Sequence, residues 1–509
     1  MLSMGWIGAS GITTLVGFVP LLMIGAMYGD GRRQFWGMFG WVALALGLWS
    51  GITTGWLWFA APFIPFLSVG ITIVLFGGIF MVYHYVSKRA PKALAYTILV
   101  TGWIACEYLY TLGEISFPWL TLGNGFANDI KLVQWYDTTG VFGGSLWVLI
   151  VNILIYEAIT SRTASKWIAS AFFIAAPITV SLIRYYTYTD EGKKITATVV
   201  QPNINPYMKW MMQEKYETEL MLGLASRAPS DVDFIVLPET AITGGIVENN
   251  IRHNGTLRQY RDFMRENYPG AQMITGAETS YYYRPGERVP GSARYAGYGD
   301  TWYDVYNTAL TIDTTGISQI HHKSILVVGV EKMPYYAVTK HLEWLIVDLG
   351  GTTGQHGTDP QPIVFTGPDS VRVGVPICWE AVFGYYCGEF VRMGAQALFV
   401  ISNDGWWDDT RGHKQLFLYS RLRAVETRRS IGRSANTGTS GFINQRGDIQ
   451  QKVGWNVQTA ITDQLTLNDH ITFYSRYGDY IARICSYVLA LGILYFIAYR
   501  YKRRNKLVE

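Results

Sequence analysis

A cysteine near the middle of the chain stands where an apolar segment gives way to a helical pattern. The segment reads Val-Arg-Val-Gly-Val-Pro-Ile-Cys378, and residues 381–393 follow with helical spacing. This pattern predicts a thiol at a helix N-terminus, where free N–H groups and the helix dipole favour the thiolate. Cys378 is therefore a candidate nucleophile. Apolar runs like membrane spans flank the region, so acyl groups of lipids or lipid-bearing molecules are its predicted targets.

A carboxylate and an ammonium follow two other strand-like patterns. Glu239 comes after Phe-Ile-Val-Leu-Pro, and Lys323 comes after Gln-Ile-His-His. The carboxyl ends of strands in α/β sheets are where catalytic groups collect. A carboxylate can accept the thiol proton and return it to a leaving group. A lysine can stabilise the thiolate and the oxyanion that forms on a carbonyl.

Each of these residues also has a purely structural interpretation. Glu239 could be a charge at the start of a helix, Lys323 a solvated loop residue, and Cys378 a small buried apolar side chain. Taken singly, each residue fits that structural interpretation better. The combination of carboxylate, ammonium and thiol favours a catalytic role for these residues.

The elements that must position these residues alternate between strand and helix. Strand patterns cover 195–201, 233–237, 271–277, 306–313, 371–377 and 398–402, with later ones at 430–435, 441–444 and 449–452. Helical patterns cover 213–227, 256–268, 381–393 and 413–429. This alternation predicts a layered α/β sandwich. Residues 281–301 and 350–368 are predicted to be long loops that act as lids.

Seven apolar runs surround the α/β region. They cover 4–28, 35–59, 63–86, 93–110, 140–160, 167–186 and 480–499. Most approach the ~20 residues that a helix needs to cross ~30 Å of hydrocarbon. One or two of them could instead be buried core helices. The sequence predicts about six transmembrane helices in residues 1–186, a catalytic domain in 187–479, and a transmembrane helix with a basic tail in 480–509.

The basic loops predict the orientation in the membrane. Arg32, Lys88, Arg162 and the basic tail fall in loops that alternate onto one side. The positive-inside rule puts these loops and the C-terminus in the cytoplasm. The catalytic domain is then predicted to lie on the opposite face, which is the periplasmic side in a bacterium.

The three candidate catalytic residues and the segments around them resemble those of a known superfamily. Glu239, Lys323 and Cys378, in the contexts LPET, HHK and PICWE, are similar to the Glu-Lys-Cys triad of the carbon–nitrogen hydrolases, or nitrilases. Together with the membrane helices, the chain resembles the apolipoprotein N-acyltransferase family of that superfamily. Further similar segments are Val199-Val-Gln-Pro-Asn203, Lys209-Trp210, Tyr303-Asp-Val-Tyr-Asn307-Thr, Ile401-Ser-Asn-Asp404-Gly-Trp406, Arg423-Ala-Val-Glu426 and Phe117-Pro-Trp-Leu120.

The resemblance implies a fold and a set of site residues. The fold is an α-β-β-α sandwich beside a multi-pass helical membrane domain. Glu331, eight residues after Lys323, matches the second glutamate of the family and would support the catalytic residues. Aromatic residues here could line an acyl pocket or anchor to lipid headgroups, and Glu380 could orient the pocket or be a first-turn carboxylate. The implied substrate-binding residues are Trp210, Asn307, Trp379, Glu380 and Trp406.

The resemblance also implies a reaction. An acyl chain would pass from a membrane phospholipid to Cys378 as a thioester, and then to the α-amine of the N-terminal diacylglyceryl-cysteine of an apolipoprotein. Such an enzyme would work as a monomer in the bacterial inner membrane, with the lipid bilayer as its surroundings. It would need no cofactor or metal and would bind no nucleic acid.

Two other functions share some of these features. One is a membrane-tethered amidase with the same three residues, in which water rather than an amine accepts the acyl group. The other is a transporter or scaffold without catalysis.

No metal or phosphate site is predicted from the sequence. The spacing typical of metal ligands is lacking at His321, His322, His356 and His413, and the chain has no phosphate-binding glycine-rich loop.

Overall fold

The computed structural model describes residues 1–29, 31–335 and 355–505. The chain divides into two compact units, one formed by Met1–Tyr188 with Tyr477–Glu509, and the other by Thr189–Arg476. The first part of the predicted loop 350–368 and the end of the predicted basic tail lie outside the described residues. The two units are described separately below.

The first unit is built of apolar helices. Six of its stretches are long and apolar enough to cross a membrane, among the described residues: Arg32–Phe59, Ile64–Ser87, Lys92–Leu112, Tyr136–Ser161, Ala164–Thr187 and Tyr480–Asn505. This confirms the predicted multi-pass helical membrane part. The N-terminal helices are α1 (Val19–Met27), α2 (Arg32–Thr54), α3 (Ile64–Thr72), α4 (Gly78–Ser87), α5 (Lys92–Leu112), α6 (Tyr136–Ser161) and α7 (Ala164–Thr187).

The first apolar run, predicted as one long helix, is broken into short pieces, so that prediction is wrong. Two 3-10 turns, Met4–Trp6 and Gly11–Val16, precede α1. A Cβ on the glycine of either turn would lie within 2.4 Å of the Gly125 carbonyl oxygen, so the backbones touch directly. Asn152 of α6 accepts a hydrogen bond from the Phe18 N–H at 2.7 Å. These contacts, rather than the regular hydrogen bonds of a continuous helix, hold residues 4–18 in place.

A buried carboxylate holds the irregular backbone between α5 and α6. Glu107 of α5 accepts hydrogen bonds from the indole N–H of Trp103 at 3.0 Å and from the Leu122 N–H at 2.8 Å. The 3-10 turns Pro118–Leu120 and Leu122–Phe126 follow in this connection. Non-helical backbone at membrane depth is tolerated where protein groups satisfy it, and Glu107 does so here.

The second unit contains two sheets. Among the described residues, the first has the order β14-β1-β2-β4-β6-β5, with β3 beside β4 and β7 beside β6, and the second has the order β13-β12-β11-β10-β9-β8. The strands β1, β2 and β4, and likewise β9, β10 and β11, run parallel. Their bounds are β1 (Lys194–Gln201), β2 (Phe234–Val236), β3 (Ile242–Val247), β4 (Gln272–Tyr282), β5 (Arg294–Tyr295), β6 (Trp302–Asp313), β7 (Gly316–His322), β8 (Val364–Thr366), β9 (Arg372–Gly374), β10 (Ala397–Ser402), β11 (Ile431–Ala435), β12 (Ser440–Ile443), β13 (Ile449–Val453) and β14 (Thr459–Thr466).

The two sheets pack face to face, and helices cover their outer faces. Phe234 of β2 packs on Phe399 of β10 with ring centroids 5.3 Å apart. The Ser434 hydroxyl of β11 donates to the Val200 carbonyl of β1 at 2.7 Å. This arrangement is the predicted α-β-β-α sandwich. On the side of the first sheet lie α9 (Glu214–Ala225) and α10 (Gly255–Asn267), and on the side of the second lie α11 (Gly384–Arg392) and α12 (Arg411–Thr427). The short helix α8 (Pro206–Lys209) packs against the 3-10 turn Asp404–Trp407, and α13 (Phe473–Tyr477) is a further short helix.

Four strands were not predicted, and one of them, β5, lies in the region 281–301 that was predicted to be a loop. The strand β3 is part of the segment after the Glu239 loop, and β14 pairs with β1 over eight residues although its sequence is largely polar. The strand β8 lies inside the region 350–368 that was predicted to be a loop. Polar edge strands lack the apolar run that marks a buried strand, because only one of their faces contacts the core.

Candidate active site

The three predicted chemical residues come from loops at the ends of strands in both sheets. Glu239 follows β2, Lys323 follows β7, and Cys378 follows β9, where Ile377 pairs with Ile401 beside it. All three side chains are buried, with exposed fractions of 6, 1 and 8%. The structure brings them into one cluster whose charges act on one another.

The Lys323 ammonium lies between two carboxylates. It donates to Glu239 at 3.2 Å and to Glu331 at 2.9 Å. Burial by itself would lower the pKa of Lys323, but the two carboxylates outweigh burial and hold that pKa above its ordinary value. Lys323 therefore remains an ammonium. A charge this deeply buried is tolerated only when it is paired and hydrogen-bonded.

An amide completes the ring around Lys323. The side-chain nitrogen of Asn307, on β6, donates to Glu239 and to Glu331, each at 2.7 Å. The backbone N–H of Lys323 donates to the Asn307 carbonyl at 2.8 Å. The structure thus places Asn307, predicted as a substrate-binding residue, where it fixes the spacing of the two carboxylates.

Glu331 is held as a carboxylate on the far side of Lys323. Burial opposes its ionisation, but the Lys323 ammonium and His356 outweigh burial and hold the pKa of Glu331 below its ordinary value. Its second oxygen accepts the Val327 N–H at 2.7 Å, which closes the loop between Lys323 and Glu331. Glu331 therefore holds the ammonium in place.

The second oxygen of Glu239 is bound by the other sheet. It accepts the backbone N–H of Asn403, immediately after β10, at 2.8 Å. The next residue, Asp404, accepts two bonds at 2.8 and 2.7 Å from one guanidinium nitrogen of the buried Arg433. Sequence reasoning found this segment only as a family resemblance, because a backbone donor leaves no signal in the residue types.

Cys378 is the first residue of a short 3-10 helix, and the predicted helix over 381–393 is wrong at its start, because it begins at Gly384 instead. Cys378 has φ 50° and begins the five-residue 3-10 turn Cys378–Val382. A left-handed backbone at a residue other than glycine costs about 1–3 kcal/mol and is typical of functional sites. Burial raises the pKa of the Cys378 thiol, Glu239 adds to the rise, and Lys323 opposes it. The resting group is therefore a thiol that needs a base.

Glu380 connects the cysteine turn to the lysine loop. One carboxylate oxygen accepts the Ile377 N–H at 2.8 Å, and the other accepts the N–H groups of Ser324 at 2.6 Å and Ile325 at 3.2 Å. Its side chain is fully buried. Because backbone groups bind both oxygens, Glu380 positions Cys378 and Lys323 relative to each other.

The three predicted tryptophans lie in two places. Trp379 is buried directly after Cys378 and packs edge-to-face on Phe383, with centroids 6.1 Å apart. Trp406 is half-buried and packs edge-to-face on Tyr207 of α8 at 5.4 Å. Trp210 is half-buried and follows α8 directly.

A histidine cluster that sequence reasoning missed holds the loop after residue 355 against β7. The central residue of this cluster is His322, which stacks on the Tyr306 ring with centroids 3.9 Å apart. Its two ring nitrogens lie 3.0 Å from Asp359 and 2.8 Å from Glu248. Burial by itself would lower the pKa of His322, but the two carboxylates raise it to about 9.

Among the residues that the structure describes, no group of His, Cys, Asp and Glu is arranged to hold a metal ion.

Comparisons with known proteins agree with this fold and arrangement. Residues 196–473 match the carbon-nitrogen hydrolase model, and residues 7–154 match the model of the apolipoprotein N-acyltransferase N-terminal domain. The fold and site thus define a membrane-bound carbon–nitrogen hydrolase relative. The apolipoprotein N-acyltransferase of Chlorobaculum tepidum is 31% identical over 83% of this chain and 80% of its own length. The chain belongs to the apolipoprotein N-acyltransferase family.

Two other proteins are similar at greater distance. Apolipoprotein N-acyltransferase 1 of Treponema denticola is 22% identical over 92% of this chain and 89% of its own length. The crystal structure of Nit3 from Saccharomyces cerevisiae, a member of the nitrilase superfamily, is 15% identical over 55% of this chain and 92% of its own, with a TM-score of 0.39.

The doubly bound His322 predicts a pH-dependent contribution to stability. Its pKa is raised from 6.5 to about 9 on folding, so the stabilisation is complete below pH 6.5 and is lost as the pH rises through 9. The difference in unfolding temperature between the wild type and His322→Gln should be largest near pH 6 and small near pH 10, by calorimetry in detergent. The matched change at the exposed His253 should give a difference that does not vary with pH. A constant difference for His322→Gln would contradict the assigned ion pairs.

Proposed function

We propose that this protein transfers an acyl chain from a membrane phospholipid to the α-amine of the N-terminal diacylglyceryl-cysteine of apolipoproteins. Family membership and the match of residues 7–154 support the lipoprotein acceptor. The observation that carries the chemistry is the Lys323 ammonium, shared by Glu239 and Glu331 beside a buried thiol.

The first half of the reaction loads the cysteine. Glu239 takes the thiol proton, and the Cys378 sulfur attacks the ester carbonyl carbon of the phospholipid. Lys323, which stays protonated, stabilises the oxyanion of the tetrahedral intermediate. The ester C–O bond then breaks, and the lysophospholipid oxygen takes the proton back from Glu239. A thioester remains on Cys378.

The second half passes the acyl chain to the amine. The neutral α-amine attacks the thioester carbonyl, again with the oxyanion beside Lys323. Glu239 takes a proton from the amine nitrogen, the C–S bond breaks, and the proton returns to the Cys378 sulfur. The product is an amide, and the enzyme is restored. Because the pKa of Lys323 is raised, the lysine does not act as the base.

The remaining site residues are assigned by their position. Glu331 and Asn307 hold Lys323 and Glu239 at fixed spacing. Trp210, Trp379 and Trp406 are proposed to contact the acyl chain. Every group of the charge cluster comes from one chain, which supports catalysis by a monomer.

We propose the bacterial inner membrane as the location, with the catalytic unit on the periplasmic face. The basic residues of the loops between spans support this orientation. A cysteine introduced at the exposed Tyr298 should react with an impermeant maleimide in spheroplasts, whereas one at the exposed Arg504 should react only after permeabilisation. Equal labelling of both from outside would contradict the orientation.

Intact mass spectrometry of purified protein incubated with phospholipid tests the proposed chemistry. The wild type should gain the mass of one acyl chain and lose it when a diacylglyceryl-cysteine peptide is added, with the chain recovered as an N-acyl amide. Cys378→Ala should give no adduct, and Glu239→Gln should lower the rate of adduct formation by about 10²–10⁴-fold.

A second buried cysteine supplies the matched control. Cys387 is fully buried in α11, and Cys387→Ala should form the adduct normally. An adduct in Cys378→Ala would exclude the assigned nucleophile. Release of the chain to water at the same rate with and without the peptide would instead indicate a hydrolase, in which water is the acceptor.

A further inference from the structure

Two short segments of the membrane unit carry basic residues that the proposed reaction does not use. Residues 88–92, from the end of α4 to the start of α5, read Lys-Arg-Ala-Pro-Lys. Residues 162–166, from the end of α6 to the first turn of α7, read Arg-Thr-Ala-Ser-Lys. Neither segment contains an acidic residue. Positive charge concentrated in this way attracts anionic partners.

A single carboxylate joins the two segments. Glu157, near the end of α6, accepts hydrogen bonds from the ammonium of Lys92 at 2.9 Å and from that of Lys166 at 2.5 Å. The Tyr96 hydroxyl of α5 donates to it at 2.5 Å. The starts of α5 and α7 are thus held together at the end of α6, and their basic residues form one surface. We call this the basic surface, and its members are Lys88, Arg89, Lys92, Arg162 and Lys166.

The basic surface has more positive charge than its carboxylate can neutralise. Lys92 and Lys166 share Glu157, so these three groups carry a net charge of +1. The two lysine side chains are 68 and 38% exposed. Because an ammonium has three N–H donors and Glu157 takes one from each, donors remain for a further anion. One lysine would suffice to pair with Glu157, so simple pairing does not account for the second.

The C-terminal helix Tyr480–Asn505 brings further basic residues to the same end of the unit. A Cβ on Gly492 would lie 3.4 Å from Ile98 of α5, and Phe496 packs on Tyr85 of α4 with ring centroids 6.1 Å apart. Arg500 lies about two helical turns beyond Gly492 and therefore reaches the level at which α5 starts. The basic residues in the last turns of this helix are Arg500, Lys502, Arg503 and Arg504.

The apolar residues beside Lys166 indicate the other half of the ligand. Trp167 follows Lys166 directly and is 49% exposed. Tryptophan is enriched where the membrane meets water, so Lys166 lies at the depth of the lipid headgroups. Ile168 and Phe172, one helical turn apart on α7, are 69 and 63% exposed. A ligand that matches both features has an anionic head and apolar chains.

We propose that the basic surface binds the headgroup of an anionic phospholipid, with its phosphate contacted by Lys92 and Lys166 and its acyl chains along α7. Basic pockets between transmembrane helices bind such headgroups. A zwitterionic headgroup binds less well, because its own ammonium is repelled by the lysines. This inference goes beyond the proposed reaction, since neither Cys378 nor the acceptor takes part. In the proposed orientation the basic surface faces the cytoplasmic leaflet, which anionic lipids make negative.

Native mass spectrometry of the full-length protein in detergent tests this inference. The probes are ether-linked phosphatidylglycerol, which is anionic, and ether-linked phosphatidylcholine, and neither has an ester that Cys378 could attack. The wild type should bind phosphatidylglycerol with the lower Kd. Lys92→Gln with Lys166→Gln should raise that Kd about tenfold or more and leave the Kd for phosphatidylcholine unchanged. Lys92→Arg with Lys166→Arg keeps both charges and should stay close to the wild type.

A charge-matched variant controls for the net charge of the protein. Lys193→Gln with Lys215→Gln removes two exposed lysines of the catalytic unit, each beside a single carboxylate, and should keep the wild-type Kd. If Glu157 left unpaired prevents folding, a triple variant that adds Glu157→Gln contains no unpaired charge and should show the same rise. An unchanged Kd for phosphatidylglycerol in the double or triple variant, or an equal rise in the control, would overturn the proposal.

A competition experiment separates a lipid from a free anion. Inorganic phosphate at the same concentration should not displace phosphatidylglycerol, because the acyl chains along α7 contribute to its binding. Displacement by inorganic phosphate would mean that the lysines bind a bare anion, and would overturn the assignment of a lipid. Phosphatidylglycerol binding that depends on these lysines, in a protein that never forms a thioester, would support this inference and reject the proposed reaction.

Discussion

The pairing of one buried ammonium with two carboxylates is the interaction on which the catalytic unit depends. Lys323 is almost fully enclosed, and burial alone would favour its neutral form. Glu239 and Glu331 reverse that tendency, and the ammonium in turn helps to keep Glu331 ionised in a place that disfavours charge. The surrounding donors serve the same end, because Asn307 donates to both carboxylates, Val327 donates to Glu331 and Asn403 donates to Glu239. Removal of the ammonium leaves two carboxylates buried without their ion-pair partner.

This arrangement determines the state of the nucleophile. Cys378 lies beside both Glu239 and Lys323, and its burial outweighs the help of the ammonium, so the resting group is a thiol. In the proposed reaction the thiolate forms when Glu239 takes the proton, so that proton removal is linked to catalysis. The strained turn that presents the thiol is tied by Glu380 to the backbone directly after Lys323. The Cys378 thiol and the Lys323 ammonium are therefore held in a fixed arrangement relative to each other.

The sequence predicts the membrane spans, the α/β sandwich and the chemical residues, because periodic apolar patterns and strand-end polar residues carry that information. It does not predict the 3-10 turn at Cys378, since the apolar residues Ala381 and Val382 look like the start of the helix that in fact begins at Gly384. It also misses groups whose role arises from distant pairing. Asp359 contacts His322, which lies 37 positions earlier in the chain. The Asn403 donor is a backbone N–H group that any residue other than proline would supply.

The rate of thioester formation in two lysine variants tests the central claim most directly. Lys323→Met removes the shared ammonium, and Lys323→Met with Glu331→Gln also removes the carboxylate that the change leaves unpaired. The double variant keeps the net charge of the cluster and should unfold at a higher temperature than the single one. If the ammonium stabilises the oxyanion, both variants should form the Cys378 thioester about 100-fold more slowly than the wild type, or slower still. A double variant that forms it at nearly the wild-type rate would show that Lys323 only neutralises Glu331, and would contradict this account.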